Sequence, residues 1–578
     1  MKRLALLAIV PALVVFGCSS GDADVAASDT ALAPDTVIVI DLHSPFDFPL
    51  VLAGNFGELR PYHFHGGIDF KTQGSTGHPI HCAERGYVSA IEVGPWGYGR
   101  AIFVTHPDIG LITVYGHLEA FADKIAKVVE EEQNKRECFA VSLEFGPDRL
   151  PVERGEIIGL SGNSGSSAGP HLHFETRQCS TGNAIDPLPF FADRIADTTP
   201  PELRRLSLIP IGPAVVDGKS GKPARRTPNE IAHAFTAWGK VVPAVEAFNR
   251  MDHTSNIFGI KHMTLKVDGK EAYRRTIDHF DFKRNRAINS LVYFPDYAAD
   301  GRWTMTTLVP ASHPLDDIVT TNAFDGIIYV LEERAFHCEF ILADNNGNSL
   351  SIPFIIEGKR SPVNDPAVNG EIVSHGTLRT FNLPEAKIAI MPFTLFEPTP
   401  IDITVKNSPK YLSPLVTVGD TSIPVNRPFF IAFPRPEKSD AEKMTIARIN
   451  GNSVNAVETS FAAGHLYAEA SRFGSYTVVA DTVAPSIGSF SGVAPVAGDS
   501  TANSPKQLSL KIADNLSGIA SYKCYIDGRF VVFDHDGKTA TISRSLEGFP
   551  RRGKAHKLKV VVTDAVGNAN ETSFDFTW

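Results

Sequence analysis

The sequence predicts a mainly β protein made of several domains in series. The chain has 578 residues, and at roughly 150 residues per domain this length corresponds to about three to five domains. Its 46 glycines and 40 prolines are spread along the chain and favour short strands and turns over long helices. A hydrophobic fraction of 43% is typical of folded, soluble protein. The net charge of −10 argues against a nucleic-acid partner, which would call for a clustered basic excess.

The first 17 residues have the pattern of a signal peptide. Lys2 and Arg3 precede an apolar stretch over 4–16 that is too short to span a bilayer comfortably. The stretch ends at Cys18 in a sequence that resembles a bacterial lipobox, which implies that Cys18 becomes lipidated and anchors the chain to a membrane. In the alternative interpretation the signal is a plain secretory one and Cys18 is incidental. Residues 18–36 are small and polar, as expected of a flexible tether.

The five remaining cysteines do not define a disulfide framework. They are odd in number and none shows the spacing C-x-x-C. A disulfide within the first domain and buried thiols are both left open.

Residues 37–195 are predicted to form the first domain. Apolar runs at 87–91, 101–104 and 111–115, each bounded by Gly or Pro, predict strands joined by turns. Apolar residues at helical spacing from Phe121 to Val129 predict one helix, which we expect to lie beside the functional groove.

Three β-rich modules are predicted to follow. Similar sequences at 197–201 and 481–485 mark two boundaries, and behind each comes a Gly-Ile pair, an Asp-Gly pair and an Asp-x-x-Gly-Asn run. The two Gly-Ile to Asp-Gly steps have equal length, which indicates a diverged internal repeat. Residues 197–358, with insertions, and 481–578 resemble bacterial immunoglobulin-like β-sandwiches. Residues 359–480 predict a further β-rich module whose family the sequence leaves open.

Histidines and one aspartate supply the candidate chemistry of the first domain. His171 and His173 share one face of a predicted strand, because side chains alternate along a strand, while Leu172 and Phe174 face the core. His65 and Asp69 offer a nitrogen and an oxygen in one glycine-containing loop. Two nitrogens and a carboxylate would give a three-ligand zinc site with one open position, the arrangement of catalytic rather than structural zinc.

The combined motifs resemble the lysostaphin/LytM-type zinc metalloendopeptidases of bacterial cell walls. The resemblance covers about residues 50–190 and rests on the runs at 65–69, 115–118 and 162–175. It implies a lysostaphin-like antiparallel sheet and one zinc ion bound by His65, Asp69 and His173. It also implies that His117 and His171 are the catalytic pair, and we expect His171 to act as base and His117 as its stabilising partner.

Other histidines are given no role in the site. His63 precedes His65 in a second H-x-H run, but the spacing to Asp69 favours His65 as the ligand. Loop or surface positions are expected for His78, His81 and His106.

The family implies an endopeptidase that acts on peptidoglycan stem peptides or crosslinks. The localisation expected is the cell envelope, as a secreted lipoprotein on the periplasmic face of the outer membrane or on the cell surface. One alternative is a non-catalytic or autoinhibited regulator that binds and activates another wall hydrolase. Another is a scaffolding role for the β-modules, which could also bind an envelope protein partner. Because zinc-binding imidazoles must be neutral, metal affinity is expected to fall below a pH of about 6.

Overall fold

The computed structural model describes residues 40–362, 369–437, 443–491, 507–546 and 555–577. The predicted signal peptide, the tether and Cys18 lie outside the described residues. The fold is mainly β, with an antiparallel sheet in the first domain and several separate β-sheet modules after it, as the sequence predicts. Neither α-helix in the described part of the chain has the length and apolarity that a membrane crossing needs.

The first domain contains one α-helix, α1 (Asp123–Arg136), and a 3-10 helix at Leu188–Phe191. Its strands, in chain order, are β1 (Leu52–Gly54), β2 (Leu59–Arg60), β3 (His63–Phe64), β4 (Ile68–Lys71), β5 (Pro79–His81), β6 (Gly86–Val93), β7 (Arg100–His106), β8 (Leu111–Gly116), β9 (Ala120–Phe121), β10 (Val141–Glu144), β11 (Pro151–Val152), β12 (Ile157–Leu160), β13 (His171–Gln178) and β14 (Ala184–Ile185).

An antiparallel sheet in the order β1-β4-β13-β8-β7-β6-β10 forms the frame of this domain. The strands predicted at 87–91, 101–104 and 111–115 lie within β6, β7 and β8, which confirms them. The predicted helix is α1, which begins two residues after Phe121 and buries Ile125 and Val129. It ends at Arg136, and the left-handed backbone of the next residue, Glu137 (φ 48°), caps the last turn.

The second module contains the helix α2 (Phe294–Asp300) and 3-10 helices at Pro228–Glu230 and Phe282–Ser290. Its strands are β15 (Glu202–Val216), β16 (Lys219–Ser220), β17 (Ala224–Arg226), β18 (Phe235–Phe248), β19 (His262–Val267), β20 (Lys270–Thr276), β21 (His279–Phe280), β22 (Met305–Thr306), β23 (Val319–Thr321), β24 (Ile328–Val330), β25 (Ala335–Ala343) and β26 (Ser349–Gly358).

The third module consists of the strands β27 (Glu371–Val373), β28 (Arg379–Asn382), β29 (Lys387–Ile390), β30 (Thr399–Ile401), β31 (Ile403–Lys406), β32 (Leu415–Val418), β33 (Phe429–Pro434), β34 (Met444–Asn450), β35 (Ser453–Val457), β36 (Ser460–Ala462), β37 (His465–Ala470) and β38 (Gly474–Ala480). The last module consists of β39 (Ser486–Ile487), β40 (Gln507–Ala513), β41 (Ile519–Ile526), β42 (Arg529–Phe530), β43 (Asp534–Asp536), β44 (Thr541–Ser545), β45 (Ala555–Asp564) and β46 (Ala569–Thr577).

The internal repeat predicted from the sequence is present in the structure. Asp268 and Asp527 both begin a two-residue turn with a left-handed backbone (φ 49° and 50°), between β19 and β20 in one module and β41 and β42 in the other. Each of the two carboxylates also accepts a hydrogen bond from a backbone N–H of the neighbouring strand, from His337 and Lys557 respectively.

The first domain and the second module share one hydrophobic core. Strand β14 of the first domain pairs with β21 of the second module. Phe280, on β21, is buried against Phe56 and Phe64, with ring centroids 5.1 Å apart in each pair. The third and last modules have hydrophobic cores of their own.

No disulfide bond joins the cysteines of the described residues. Cys82, Cys338 and Cys524 are buried thiols, and burial raises the pKa of each to about 12 or above. Of the two alternatives the sequence left open, the structure shows thiols.

Candidate metal centre and active site

Two neighbouring strands place the candidate ligands opposite each other. In the register of β4 and β13, Asp69 pairs with His173, and His173 pairs with Gly116 of β8 on its other side. Leu172 and Phe174 face the opposite side of the sheet and are fully buried, as their alternation with the histidines predicts. The third candidate ligand, His65, follows β3 directly.

The side chains of His65, Asp69 and His173 converge on one point. His65 Nε2 lies 3.0 Å from Asp69 Oδ1 and 3.0 Å from His173 Nδ1. His173 Nδ1 lies 2.9 Å from Asp69 Oδ1. Each of the three residues exposes 5% or less of its surface, so water competes little for these atoms.

Hydrogen bonds on the far side of each imidazole fix which nitrogen faces this point. His65 Nδ1 donates to the backbone carbonyl of Asn55 at 2.7 Å. His173 Nε2 donates to Glu175 Oε1 at 2.8 Å. Because a carbonyl and a carboxylate only accept hydrogen bonds, the lone pairs of His65 Nε2 and His173 Nδ1 point inward, toward Asp69. Three acceptor atoms therefore lie about 3 Å from one another. They repel one another unless a cation or a proton lies among them.

Without a metal, the charges of the site favour one proton on His173. Burial alone would lower the pKa of His173, but hydrogen bonds with Asp69 and Glu175 outweigh it and raise the pKa to about 9. Burial lowers the pKa of His65. Burial opposes ionisation of Asp69, but the electrostatic interaction with His65 and the hydrogen bonds with three histidines hold its pKa well below the usual range.

His117 and His171 lie beside the three converging groups. Their ring centroids are 4.7 Å apart, and His171 Nε2 lies 3.5 Å from Asp69 Oδ1. His117 Nδ1 donates to the carbonyl of Ser164 at 2.9 Å, and His171 Nδ1 donates to the carbonyl of Gly169 at 2.8 Å. Both rings therefore keep Nε2 available as a proton acceptor. Burial, followed by the neighbouring histidines, lowers the pKa of His117 to about 3.

The backbone at His117 is held in a left-handed conformation (φ 63°) directly after β8. Its N–H donates to the carbonyl of Tyr98 at 2.8 Å, which holds the turn in place. A non-glycine residue in this region costs of order 1–3 kcal/mol, a strain that accumulates at functional sites.

Arg60 belongs to the site although no sequence pattern pointed to it. Its Nη2 donates to Asp69 Oδ2 at 2.8 Å, while about a third of the Arg60 side chain is exposed. Arg60 thus occupies one oxygen of the carboxylate and leaves the other, Oδ1, turned toward the two imidazoles.

A buried polar cluster supports His173 from behind. Glu175 Oε1 accepts a hydrogen bond from the Tyr98 hydroxyl at 2.6 Å, and Glu175 Oε2 pairs with Arg177 at 2.6 Å. Burial would raise the pKa of Glu175, but Arg177 and His173 outweigh it and lower the pKa to about 2. The sequence offered Glu175 only as a neighbour of the H-x-H run and gave no sign of Tyr98.

The remaining histidines lie outside this grouping. His63 is exposed on β3 and hydrogen-bonded to the carbonyl of Pro61. His78 and His81 are partly buried. His106, expected in a loop or at the surface, is instead fully buried at the end of β7. That expectation was wrong because the carbonyl of Arg85 and the hydroxyl of Thr113 satisfy both ring nitrogens.

Two curated relatives match this chain over a similar length. Over 130 residues the chain is 30% identical to the DD-carboxypeptidase/endopeptidase Mpg of Neisseria meningitidis serogroup B, a stretch covering 22% of this chain and 23% of that protein. Over 132 residues it is 32% identical to an uncharacterized metalloprotease of Haemophilus influenzae, covering 23% of this chain and 21% of that one. The chain carries a lysostaphin/LytM-type peptidase domain. It spans less than a quarter of the length of either relative.

Two solved structures match a similar share of the chain. The catalytic domain of lysostaphin from Staphylococcus simulans is 24% identical, with a TM-score of 0.19, and the match covers 25% of this chain and 92% of that one. The catalytic domain of the M23 protein EnpA from Enterococcus faecalis is 27% identical, with a TM-score of 0.17, covering 23% of this chain and 84% of that one.

A family model matches the third module, whose family the sequence left open. Residues 371–481 match the Zu5-like domain. The first domain and this module are therefore similar to different kinds of protein.

Proposed function

We propose that this protein is a zinc-dependent endopeptidase that hydrolyses peptide bonds in peptidoglycan stem peptides or crosslinks. The observation that carries the proposal is the convergence of two imidazole lone pairs and one carboxylate oxygen next to two further histidines. Tetrahedral zinc keeps nitrogen and oxygen ligands about 3.3 Å apart, since each bond is about 2.0–2.1 Å long. The observed separations of 2.9–3.0 Å require only a small outward movement of the ligands.

A zinc ion held by His65, Asp69 and His173 would supply Lewis acidity at the scissile carbonyl. Around it, each residue of the chain has a separate task. Glu175 and the carbonyl of Asn55 orient the two imidazoles. Arg60 orients the carboxylate of Asp69.

His117 and His171 act as a pair in the proposed proton transfers. Nε2 of His171 is the proposed acceptor of the proton from the attacking water and returns that proton to the leaving amine, with His117 as its stabilising partner. Burial and the neighbouring histidines lower the pKa of His117 to about 3, so that ring does not compete for the proton of the water. Neither Nδ1 takes part, since each is held by a backbone carbonyl.

The substrate class is proposed from the relatives. The name of the Neisseria protein joins DD-carboxypeptidase with endopeptidase activity, and lysostaphin is described as an antimicrobial peptidase. We extend cleavage of wall peptides to this chain as part of the proposal. The anchor at Cys18 and a location in the cell envelope belong to the same proposal and rest on the signal sequence alone.

The alternative, a regulator that activates another hydrolase, is less well supported. A chain that only binds has no need of converging metal ligands or of two oriented imidazoles beside them. All five groups are present and hydrogen-bonded in a way that suits catalysis.

The test is digestion of purified peptidoglycan by residues 19–578, with the products separated by mass. Wild type should convert crosslinked fragments to uncrosslinked ones, and 1,10-phenanthroline should abolish this until zinc is restored. Loss of a terminal residue from uncrosslinked peptides would add carboxypeptidase activity. No cleavage by fully zinc-loaded protein would contradict the proposal and favour the regulator.

Two substitutions of aspartate by alanine make a matched pair in this assay. Asp69→Ala removes a proposed ligand and should abolish cleavage. Asp108→Ala removes an exposed carboxylate paired with Arg85 in the turn before β8, at the opposite end of that strand from His117, and should leave cleavage unchanged.

A further inference from the structure

Three carboxylates meet where the third module passes into the last one. Asp481 follows β38, Asp514 follows β40, and Asp564 ends β45. Each carboxylate contributes an oxygen to a group in which all the atoms lie within 4.8 Å of one another. Asp481 and Asp564 each expose only 1% of their surface. We refer to these three residues as the junction carboxylates.

Nothing in the described part of the chain neutralises the junction carboxylates. No described Lys, Arg or His nitrogen lies within 4.0 Å of their oxygens. Lys443 lies next to Asp481, because its carbonyl accepts a hydrogen bond from the backbone N–H of Asp481. Its ammonium group does not pair with the carboxylates, since Lys443 Nζ donates to the carbonyl of Val566 at 3.1 Å. Buried like charges this close repel strongly when no counter-charge is present.

Hydrogen bonds already orient these carboxylates. Asp481 Oδ2 accepts from the N–H of Ser517 at 3.0 Å, and Asp514 Oδ2 accepts from the N–H of Gly518 at 2.8 Å. Asp564 Oδ1 accepts from the N–H of Asn568 at 2.7 Å. Among the described residues, Asp481 Oδ1 and Asp514 Oδ1 are buried and lack a hydrogen-bond partner. A fully buried carboxylate oxygen without a partner is a costly arrangement that a bound cation would relieve.

The equivalent position in the second module provides an internal comparison. Asp197 and Asp344 match Asp481 and Asp564: the side chain of Asn348 donates to Asp344 Oδ2 and to the carbonyl of Asp197, as Asn568 does to Asp564 Oδ2 and the carbonyl of Asp481.

An asparagine takes the place of the third carboxylate there. Asn249 directly follows β18, as Asp514 follows β40, and its amide donates to Asp344 Oδ2 at 3.5 Å. Burial and the neighbouring Asp344 raise the pKa of Asp197. The second module thus reduces the charge at this position with an amide and favours protonation of Asp197, whereas the last module keeps three carboxylates.

We propose that Asp481, Asp514 and Asp564 bind a divalent cation of the Ca²⁺ class. The site offers oxygen ligands only, which favours a hard cation over zinc. Calcium–oxygen distances of about 2.3–2.6 Å place opposite ligands up to about 5 Å apart, whereas Mg²⁺ at about 2.0–2.1 Å requires a tighter cage. The ion would join the final strand of the third module to two loops of the last module and so fix the junction between them. This site is independent of the proposed peptidase activity.

The test is a calcium titration of zinc-loaded residues 19–578 in calcium-depleted buffer, followed by calorimetry and thermal unfolding. Wild type should bind one calcium ion and unfold at a higher temperature with calcium than without it. Mg²⁺ should compete weakly. The absence of any calcium binding or thermal shift would overturn the proposal.

Asp514→Asn imitates the second module and provides the decisive variant. It should weaken calcium binding at least tenfold and lose the thermal shift. In calcium-free buffer it should be at least as stable as wild type, because it removes one of the repelling charges, so failure to fold is distinguishable from loss of the site. The matched control is Asp402→Asn, an exposed carboxylate of the third module, which should bind calcium as wild type does. Full calcium binding by Asp514→Asn would overturn the proposal.

Discussion

At the scale of single residues, the site depends on groups that touch the candidate ligands and do not bind metal themselves. Arg60 occupies Asp69 Oδ2, while Glu175 and the carbonyl of Asn55 set the orientation of His173 and His65. Substitution of such supporting groups commonly costs about 10–100-fold in metal affinity or activity. The catalytic geometry is therefore a property of seven side chains rather than of five.

Arg60→Ala should lower kcat/KM by about tenfold while zinc stays bound at one ion per chain. The reason is that Asp69 keeps its place on β4 but loses the contact that fixes which oxygen faces the histidines. Arg85→Ala is the control, because it removes an exposed arginine that is likewise paired with an aspartate. Unchanged kcat/KM in Arg60→Ala would show that the contact does not position Asp69.

Zinc binding near pH 7 should release about one proton. His173 has a pKa of about 9 in the metal-free site, so it is protonated at pH 7 and must lose that proton to bind zinc. Zinc affinity should therefore rise about tenfold per pH unit up to about pH 9. The loss of affinity should thus begin at a higher pH than the value of about 6 expected from the sequence, because hydrogen bonds with Asp69 and Glu175 raise the pKa of His173. Calorimetry in buffers of different ionisation enthalpy measures the proton, and zinc binding without proton release would contradict this assignment.

At the scale of elements, the tight packing of β4 against β13 holds the two halves of the site together. A Cβ added at Gly67, just before β4, would lie 2.1 Å from the carbonyl oxygen of Phe174 on β13, a distance that real structures do not show. Only glycine allows the His65 loop to approach β13 so closely, because it has no Cβ.

Gly67→Ala should lower the free energy of unfolding by at least about 2 kcal/mol, because one of the two strands must shift. Gly146→Ala is the control, since no atom lies within 4 Å of the added Cβ and its effect should stay within about 0.5 kcal/mol. Chemical denaturation of both variants measures the difference. Equal stability of the two would mean that the strands do not pack as described.

At the scale of the whole molecule, the peptidase domain forms contacts with two of the later modules. Besides the β14–β21 pairing, Lys261 of the second module forms a buried ion pair with Asp186 of the first domain at 2.5 Å. The last module also reaches the peptidase domain, where Asp534 pairs with Arg100 at 2.6 Å and Lys523 with Glu137 at 2.8 Å. The second and last modules thus contribute contacts that stabilise the first domain.

A fragment of residues 40–195 should therefore aggregate or lose fixed tertiary structure, while residues 40–362 should fold. Removing the second module exposes the faces of Phe56 and Phe64 that Phe280 covers. Size-exclusion chromatography and near-ultraviolet circular dichroism of the two fragments test this. A monomeric 40–195 fragment with a cooperative unfolding transition would contradict it.

The parts of this architecture that depend on local pattern could be predicted from the sequence. Alternation along 171–174 predicted which side chains of β13 face the core, and glycine-bounded apolar runs predicted β6, β7 and β8. The equal spacing of Asp268 and Asp527 after a Gly-Ile pair predicted the repeat. The five histidine and aspartate side chains of the site were named from motifs, and the structure brings them together.

Features that depend on contacts between distant segments could not be predicted. Arg60 reaches Asp69 because β2 and β3 form a small hairpin of two-residue strands, too short to show any periodicity. The pairing of β14 with β21 also joins two-residue strands, so the boundary at residue 197 does not divide the hydrophobic core. His106 was misplaced because its buried partners lie on other segments of the chain.

The most direct test of the central claim is to measure zinc content and cleavage of peptidoglycan on the same preparations of wild type, Asp69→Ala and His117→Ala. The account predicts that Asp69→Ala loses both zinc and cleavage, whereas His117→Ala keeps one zinc ion per chain and loses cleavage. Cleavage by metal-free Asp69→Ala, or undiminished cleavage by His117→Ala, would contradict it.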